Sequence, residues 1–331
     1  MKVFVSRRIP GEVIRFMEQY GLEVTCNDSD ERMQQNDLIE ACKKADILFN
    51  VGSADLDARF MESCQHLKGI VLTSVGYDHI DLNSATYYGI PVSNTPDVLS
   101  KSTADTAFLL MLATSRKAFY QARQIEKGAW KNNGFLDELG IEINGKTLGI
   151  YGLGRIGLEL AKMAKDAFGM KIIYNNRSRN MEAEQLLNAR YVDFGELLSQ
   201  SDVLSVHSNL TPETQYRFNR DSFRKMKKTS IFINTARGKI HHEPDLINAL
   251  KEGEIWGAGL DVTDPEPMLP DNPLLQMSNV CVLPHIGSAT IETRMAMANV
   301  AAHNIIAVFR GEKMPQIVNK EVYDEVRPGK I

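Results

Sequence analysis

Residues 147–169 read TLGIYGLGRIGLELAKMAKDAFG. An apolar run ends at Tyr151, glycines follow at 152, 154 and 157, and an amphipathic helical pattern begins. A bound pyrophosphate needs such a turn between strand and helix. Gly152 permits the tight turn, Gly154 lets the backbone approach the phosphates, and Gly157 lets the helix pack on the sheet. Leu153, Arg155 and Ile156 share this turn. The helix start offers free N–H groups and a partial positive charge, and Arg155 adds a full one. The glycine spacing alone is common. Here a strand precedes it, a helix follows, and a second apolar run at 171–175 closes the unit, which is the context the motif requires. The stretch predicts a dinucleotide-binding βαβ unit.

Outward from it, short apolar runs alternate with helical patterns, which indicates an α/β chain with parallel sheets. Strands are expected at 2–5, 23–25, 47–49, 69–73 and 91–93, and in a second series at 147–151, 171–175, 203–206, 230–234, 257–261 and 280–283. The second series suits a doubly wound Rossmann-type sheet. Between the series lies TADTAFLLMLATSRKA, apolar on nearly every side at its centre and hence a buried helix. Ser102 with Asp105 three residues on reads as a capping-box variant at its start. A second long helical pattern covers about 290–310.

With 331 residues the chain has room for about two domains. A net charge of −4 with no basic stripe argues against nucleic acid, and the longest apolar run, 107–113, is too short for a bilayer. Cys26, Cys42, Cys64 and Cys281 are scattered without metal-ligand spacing. They read as reduced, packed thiols in a cytoplasmic protein that begins with a strand rather than a signal peptide.

The second strand of the βαβ unit runs into KIIYNNRSRN, residues 171–180. A carboxylate at this place would accept bonds from the ribose hydroxyls of NAD and repel a 2′-phosphate. This chain has amides and arginines instead. Asn176 and Ser178 are hydrogen-bond donors, Arg177 fits a phosphate bidentately, and Arg179 is close enough to help. The expected cofactor is therefore NADP(H), with NAD as the lesser possibility.

Three reactive residues follow three successive strands: Arg237 after SIFINTA, Glu266 after GAGLDVTDP, and His285 after VCVLP. In an open α/β sheet, ligands bind at the carboxyl ends of the strands. An arginine there clamps a carboxylate and polarises the adjacent carbonyl. A histidine gives a proton to that carbonyl oxygen as hydride reaches the carbon, and a neighbouring carboxylate favours its imidazolium form. The set describes a reductase of 2-keto acids. Asp261, at a strand end in the same crevice, is expected to orient the nicotinamide riboside or carboxamide.

The motifs TSVGYDHIDL, STADTAFLLML, GIYGLGRIG, HSNLTPET, INTARG, GLDVTDPEP and LPHIGSAT, in that order, resemble the D-2-hydroxyacid dehydrogenase family. SVGYDHID and TADTAF most resemble its glyoxylate and hydroxypyruvate reductase branch. The resemblance implies two Rossmann-like domains: a discontinuous substrate domain, 1–100 and 288–331, and an inserted dinucleotide-binding domain, 101–287. It implies that Arg237 binds the substrate carboxylate and carbonyl, and that Glu266 pairs with His285, the general acid/base. It further implies that Val51, Gly52, Ser53 and Gly76 complete the carboxylate pocket, and that Thr103, Thr235, Ala236, Asp261 and Gly287 face the cofactor. A homodimer is implied, with EKGAWKNNGF near its interface. Within the family, 3-phosphoglycerate and 2-ketogluconate types are rivals. Formate dehydrogenases carry glutamine where this chain has Glu266. A nucleotide-sensing co-repressor on the same fold is the rival from outside enzymology.

No metal site is expected. His241 and His242 lack a third ligand at workable spacing and read as a surface pair. His79 and Asp81 of YDHID read as residues that hold their loop.

Overall fold

The computed structural model describes residues 1–324 except 30, 53 and 133. The chain forms two compact units, Met1–Leu99 with Thr290–Ile331, and Ser100–Ala289.

The first unit is built on five parallel strands, β1 (Lys2–Val5), β2 (Glu23–Cys26), β3 (Ile47–Asn50), β4 (Gly69–Leu72) and β5 (Val92–Ser93), in the order β2-β1-β3-β4-β5. β3 and β4 are buried along their whole length, as the apolar runs Ile47–Phe49 and Gly69–Leu72 require of strands covered on both faces. One face carries Leu38, Leu56, Phe60 and Met61. The other is closed by Val13, Met17 and the helix Ile291–Phe309, through Ala298, Ala301, Ala302 and Ile305. Thr290 caps that helix by accepting the Thr293 N–H at 3.1 Å. Asp81 caps the helix Leu82–Tyr87 by accepting the Ser84 N–H, so the YDHID motif includes a helix start.

The second unit contains β6 (Thr147–Tyr151), β7 (Lys171–Asn175), β8 (Arg190–Tyr191), β9 (Val203–Val206), β10 (Ile231–Asn234), β11 (Gly257–Leu260) and β12 (Val280–Val282). They form one parallel sheet ordered β12-β11-β10-β9-β6-β7-β8, with the reversal of direction between β6 and β9. Both sheets are therefore parallel and doubly wound. β8 has no counterpart among the expected strands. It is two exposed residues on the sheet edge, too short to leave a periodic signal.

The apolar helix occupies Ser100–Ser115 and packs on the helix Arg155–Phe168 and on β10 and β11. Ala104, Ala107, Leu110 and Met111 join Leu148 and Ile150 in one core. Ser102 is not its cap. The helix starts two residues earlier, and the buried Ser102 hydroxyl donates to the Gly287 carbonyl at 2.8 Å. Among the described residues, no helix is long and apolar enough to cross a membrane.

Candidate active site

The glycine turn after β6 has three distinct local geometries. Gly152 has φ +92°, and a Cβ there would stand 2.6 Å from the Ser208 nitrogen on the neighbouring strand end. A Cβ on Gly157 would meet Ile150 Cγ2 at 3.0 Å, so this glycine sets the approach of helix to strand. A Cβ on Gly154 would meet nothing within 4 Å. That bare face opens at the start of a 14-residue helix whose N-cap, Gly154 itself, offers no side-chain cap. Uncapped N–H groups over open space fit a pyrophosphate. Arg155 and Ile156 lie in the first turn, with Arg155 exposed, while the Leu153 side chain is buried beneath.

The loop after β7 is shaped by its amides. Asn176 Oδ1 accepts the Leu153 N–H at 2.6 Å and its Nδ2 donates to the Leu153 carbonyl at 3.1 Å, which ties the loop to the glycine turn. Asn180 Nδ2 donates to the same carbonyl at 3.0 Å, and its backbone N–H donates to the buried Tyr174 hydroxyl at 2.7 Å. Arg179 makes a two-pronged pair with Glu184, and Tyr174 donates to that carboxylate at 2.6 Å. Asn176 and Arg179, expected to face a phosphate, are thus engaged in holding the loop. Arg177 and Ser178 stand exposed at its apex, and the charge of Arg177 reaches Glu213.

At the carboxyl ends of β10, β11 and β12 the three reactive side chains converge. His285 Nδ1 and Glu266 Oε1 are 2.5 Å apart. Burial raises the Glu266 carboxyl. The hydrogen bond and charge of His285, the Thr263 N–H and the charge of Arg237 outweigh that and hold it below its ordinary value. The two side chains remain 46% and 41% exposed, so the pair adds at most about 1 kcal/mol to stability. Arg237 donates from Nη1 to the Ala236 carbonyl at 2.7 Å. A Cβ on Gly238 would stand 1.9 Å from the Thr263 carbonyl oxygen, so the arginine turn lies directly on the loop that leads to Glu266.

His285 has φ +54°, a left-handed backbone that costs a non-glycine residue roughly 1–2 kcal/mol. Asp261 holds it there. Its carbonyl accepts the His285 N–H at 2.9 Å, and its carboxylate accepts those of Ile286 and Gly287 at 2.8 Å each. Burial pushes the Asp261 carboxyl above the usual range against these bonds. Expected to orient a nicotinamide, Asp261 has both oxygens occupied by the histidine turn. A Cβ on Gly287 would lie 3.0 Å from Asp261 Oδ2 and 3.3 Å from Thr103 Cγ2, which brings Thr103 to the same place. Thr235 is buried, and its hydroxyl has no partner among the described residues, leaving a polar atom for a ligand to satisfy. Ala236 donates its N–H to Asn234.

Of the residues expected in the first unit, Gly52 and Gly76 follow β3 and β4 at the carboxyl edge of that sheet. Gly52 has φ +96° and Arg7 lies against it, with Nη1 3.4 Å from where a Cβ would be. The Val51 N–H donates to the Ser6 hydroxyl at 2.8 Å and is not available to a substrate. Ser74 donates to the Gly76 carbonyl at 2.7 Å. Ser53 lies outside the described residues. Among the described residues no group of acidic, histidine or cysteine side chains could hold a metal. His241 is not on the surface: it is fully buried, and only His242 is partly exposed.

Residues 108–287 match the sequence pattern of the D-isomer specific 2-hydroxyacid dehydrogenase, NAD binding domain. A glyoxylate reductase of Pyrococcus furiosus is 43% identical over 99% of this chain and 98% of its own. The chain belongs to the D-isomer specific 2-hydroxyacid dehydrogenases. It is an NAD(P)-dependent oxidoreductase, which accounts for the glycine turn and the Arg–Glu–His set occurring in one unit. Among solved structures, a protein of Thermus thermophilus superimposes with a TM-score of 0.89 at 39% identity, covering 96% of this chain and 100% of that one. An NADPH-dependent glyoxylate/hydroxypyruvate reductase of Sinorhizobium meliloti, in complex with NADP and malonate, gives 0.85 at 30% identity, covering 100% and 99%. The open face at Gly154 and the unpartnered Thr235 hydroxyl fit the nicotinamide dinucleotide that the family uses.

Proposed function

We propose that this dehydrogenase reduces a small 2-keto acid of the glyoxylate or hydroxypyruvate kind to the D-2-hydroxy acid, with NADPH preferred and NADH as a second choice. The observation that carries the reading is the 2.5 Å contact of His285 with Glu266 beside the Arg237 turn. The reduced dinucleotide supplies a hydride. Arg237 holds the substrate carboxylate and draws electron density from the keto oxygen. Nε2 of His285, the nitrogen that does not face Glu266, delivers the proton to that oxygen, and Glu266 stabilises the imidazolium before transfer. Asp261 keeps the histidine turn in its left-handed shape. Gly52 and Gly76 retain the part the resemblance implies, as backbone partners of the carboxylate. Domains 1–100 with 288–331 and 101–287 then divide the work between substrate and cofactor.

NADPH is favoured because the apex of the loop after β7 offers Arg177 and Ser178 where a ribose-binding carboxylate would otherwise stand. The protein works as a cytoplasmic homodimer, a reading supported by free cysteines and by exposed Ile125, Trp130, Phe135, Leu136 and Leu139 in the stretch before β6. Steady-state kinetics with glyoxylate and hydroxypyruvate, each with NADPH and NADH, test the proposal. Turnover with neither acid would overturn it. Light scattering of the purified protein tests the dimer.

A further inference from the structure

Arg237 leaves β10 through a turn shaped by one buried amide. Asn234 Oδ1 accepts the Ala236 N–H at 2.9 Å, and its Nδ2 donates to the Arg237 carbonyl at 2.8 Å. The second hydrogen on Nδ2 is directed at His241 Nδ1, 3.0 Å away. Asn234 and His241 are both fully buried. Because Oδ1 receives an N–H, the amide cannot turn over. Because Nδ2 gives a hydrogen, Nδ1 must be the lone-pair nitrogen, so His241 is neutral with its proton on Nε2. Burial, with the charge of His242 adding, pushes the imidazole down to about 3, which keeps it in that form.

Nothing else about the position asks for a histidine. The ring packs edge-on to Phe232 at 5.8 Å, its backbone pairs with Phe218, and Nε2 has no partner among the described residues. An apolar side chain would fill the space without burying an unpartnered N–H. What the imidazole adds is a single acceptor, aimed at the amide that sets the arginine turn.

We propose that His241 is a positioning residue for Arg237. It touches neither substrate nor cofactor, and it acts by fixing the second Nδ2 hydrogen of Asn234, so that the turn delivers the guanidinium in one orientation. The inference rests on the reading of Arg237 as the carboxylate clamp.

Three substitutions separate this from mere packing. Asparagine carries its acceptor oxygen close to where Nδ1 stands, glutamine carries its own out near Nε2, and leucine has none. With glyoxylate as substrate, His241→Asn should keep KM within about threefold, while His241→Gln and His241→Leu should raise it about tenfold, the worth of one hydrogen bond. Values of kcat should move less than KM, and the NADPH dissociation constant from fluorescence titration should not move. Equal impairment of the asparagine and glutamine variants, or wild-type KM in all three, would overturn the proposal. If His241→Leu fails to fold, the two polar variants still decide. Arg237→Ala is the control. Should it leave the glyoxylate KM unchanged, the clamp reading fails and takes the proposal with it. Should it raise KM while the three-variant pattern is missing, the positioning role alone fails.

Discussion

Gly238 lies so close to Thr263 that a Cβ on it would stand 1.9 Å from the carbonyl oxygen and 2.2 Å from the carbonyl carbon. These are backbone atoms, which cannot swing aside as a side chain could. The turn of Arg237 and the loop leading to Glu266 are registered against each other by that absence of a side chain. Gly238→Ala must part them, and a misplacement near 1 Å costs about 100-fold in rate. We expect at least that loss in kcat/KM, with a lower Tm, read by steady-state kinetics and a thermal melt.

The His285–Glu266 pair makes a second prediction. Glu266 is depressed in the folded chain below its ordinary 4.5. A depressed carboxylate contributes stability that is present above its unfolded value and is lost as pH falls through the folded value. With both side chains partly exposed, that contribution is small. Glu266→Gln should therefore lower turnover by about 100-fold, the lower end of what general acid–base catalysis supplies, while changing stability little. Urea melts of the two proteins should differ by a small amount in mildly acid solution above pH 4.5 and converge as the pH falls below it.

The loop after β7 separates two arginines that look equivalent in sequence. Arg177 is exposed at the apex, and Arg179 is paired with Glu184. Arg177→Ala should weaken NADPH at least about tenfold while changing NADH little, as loss of a charge-assisted phosphate contact implies. Arg179→Ala should leave the NADPH to NADH ratio of kcat/KM within about threefold, since no phosphate contact is lost. A matched fall in both cofactors for Arg177→Ala would contradict the phosphate assignment.

Asn176 gives the complementary expectation. Its two bonds to Leu153 join the glycine turn to the loop after β7, the two segments proposed to hold the dinucleotide. Asn176→Ala should weaken NADPH and NADH by similar factors and destabilise the chain by about 1–3 kcal/mol, the cost of leaving the Leu153 N–H without its partner while Asn180 still serves the carbonyl. Parallel titrations with the two cofactors and a denaturant melt measure both effects.

Much of this was legible in the sequence, because parallel strands buried on both faces must be short continuous apolar runs. The glycine turn and the strand-end positions of Arg237, Glu266 and His285 followed from that pattern and motif context. What escaped was set by side chains meeting across the chain. Asn176 and Arg179 have the chemistry of phosphate ligands, and only their proximity to Leu153 and Glu184 shows them otherwise engaged. Ser102 has the chemistry of a cap, yet a carbonyl 185 residues away claims its hydroxyl. His241 and His242 do diverge as adjacent side chains should. The backbone bridge from His241 to Phe218 turns one of them inward, and nothing local announces it.

The amide clasp on Leu153 has a consequence for how such an enzyme changes over generations. Asn176 and Asn180 hold the loop by bonds to Leu153, while Arg177 and Ser178 stand exposed at its apex. Scaffold and selector are therefore separate inheritances. On the proposed reading of Arg177, a lineage can exchange one reductant for another by a step or two at the apex while the clasp on Leu153 stays in place.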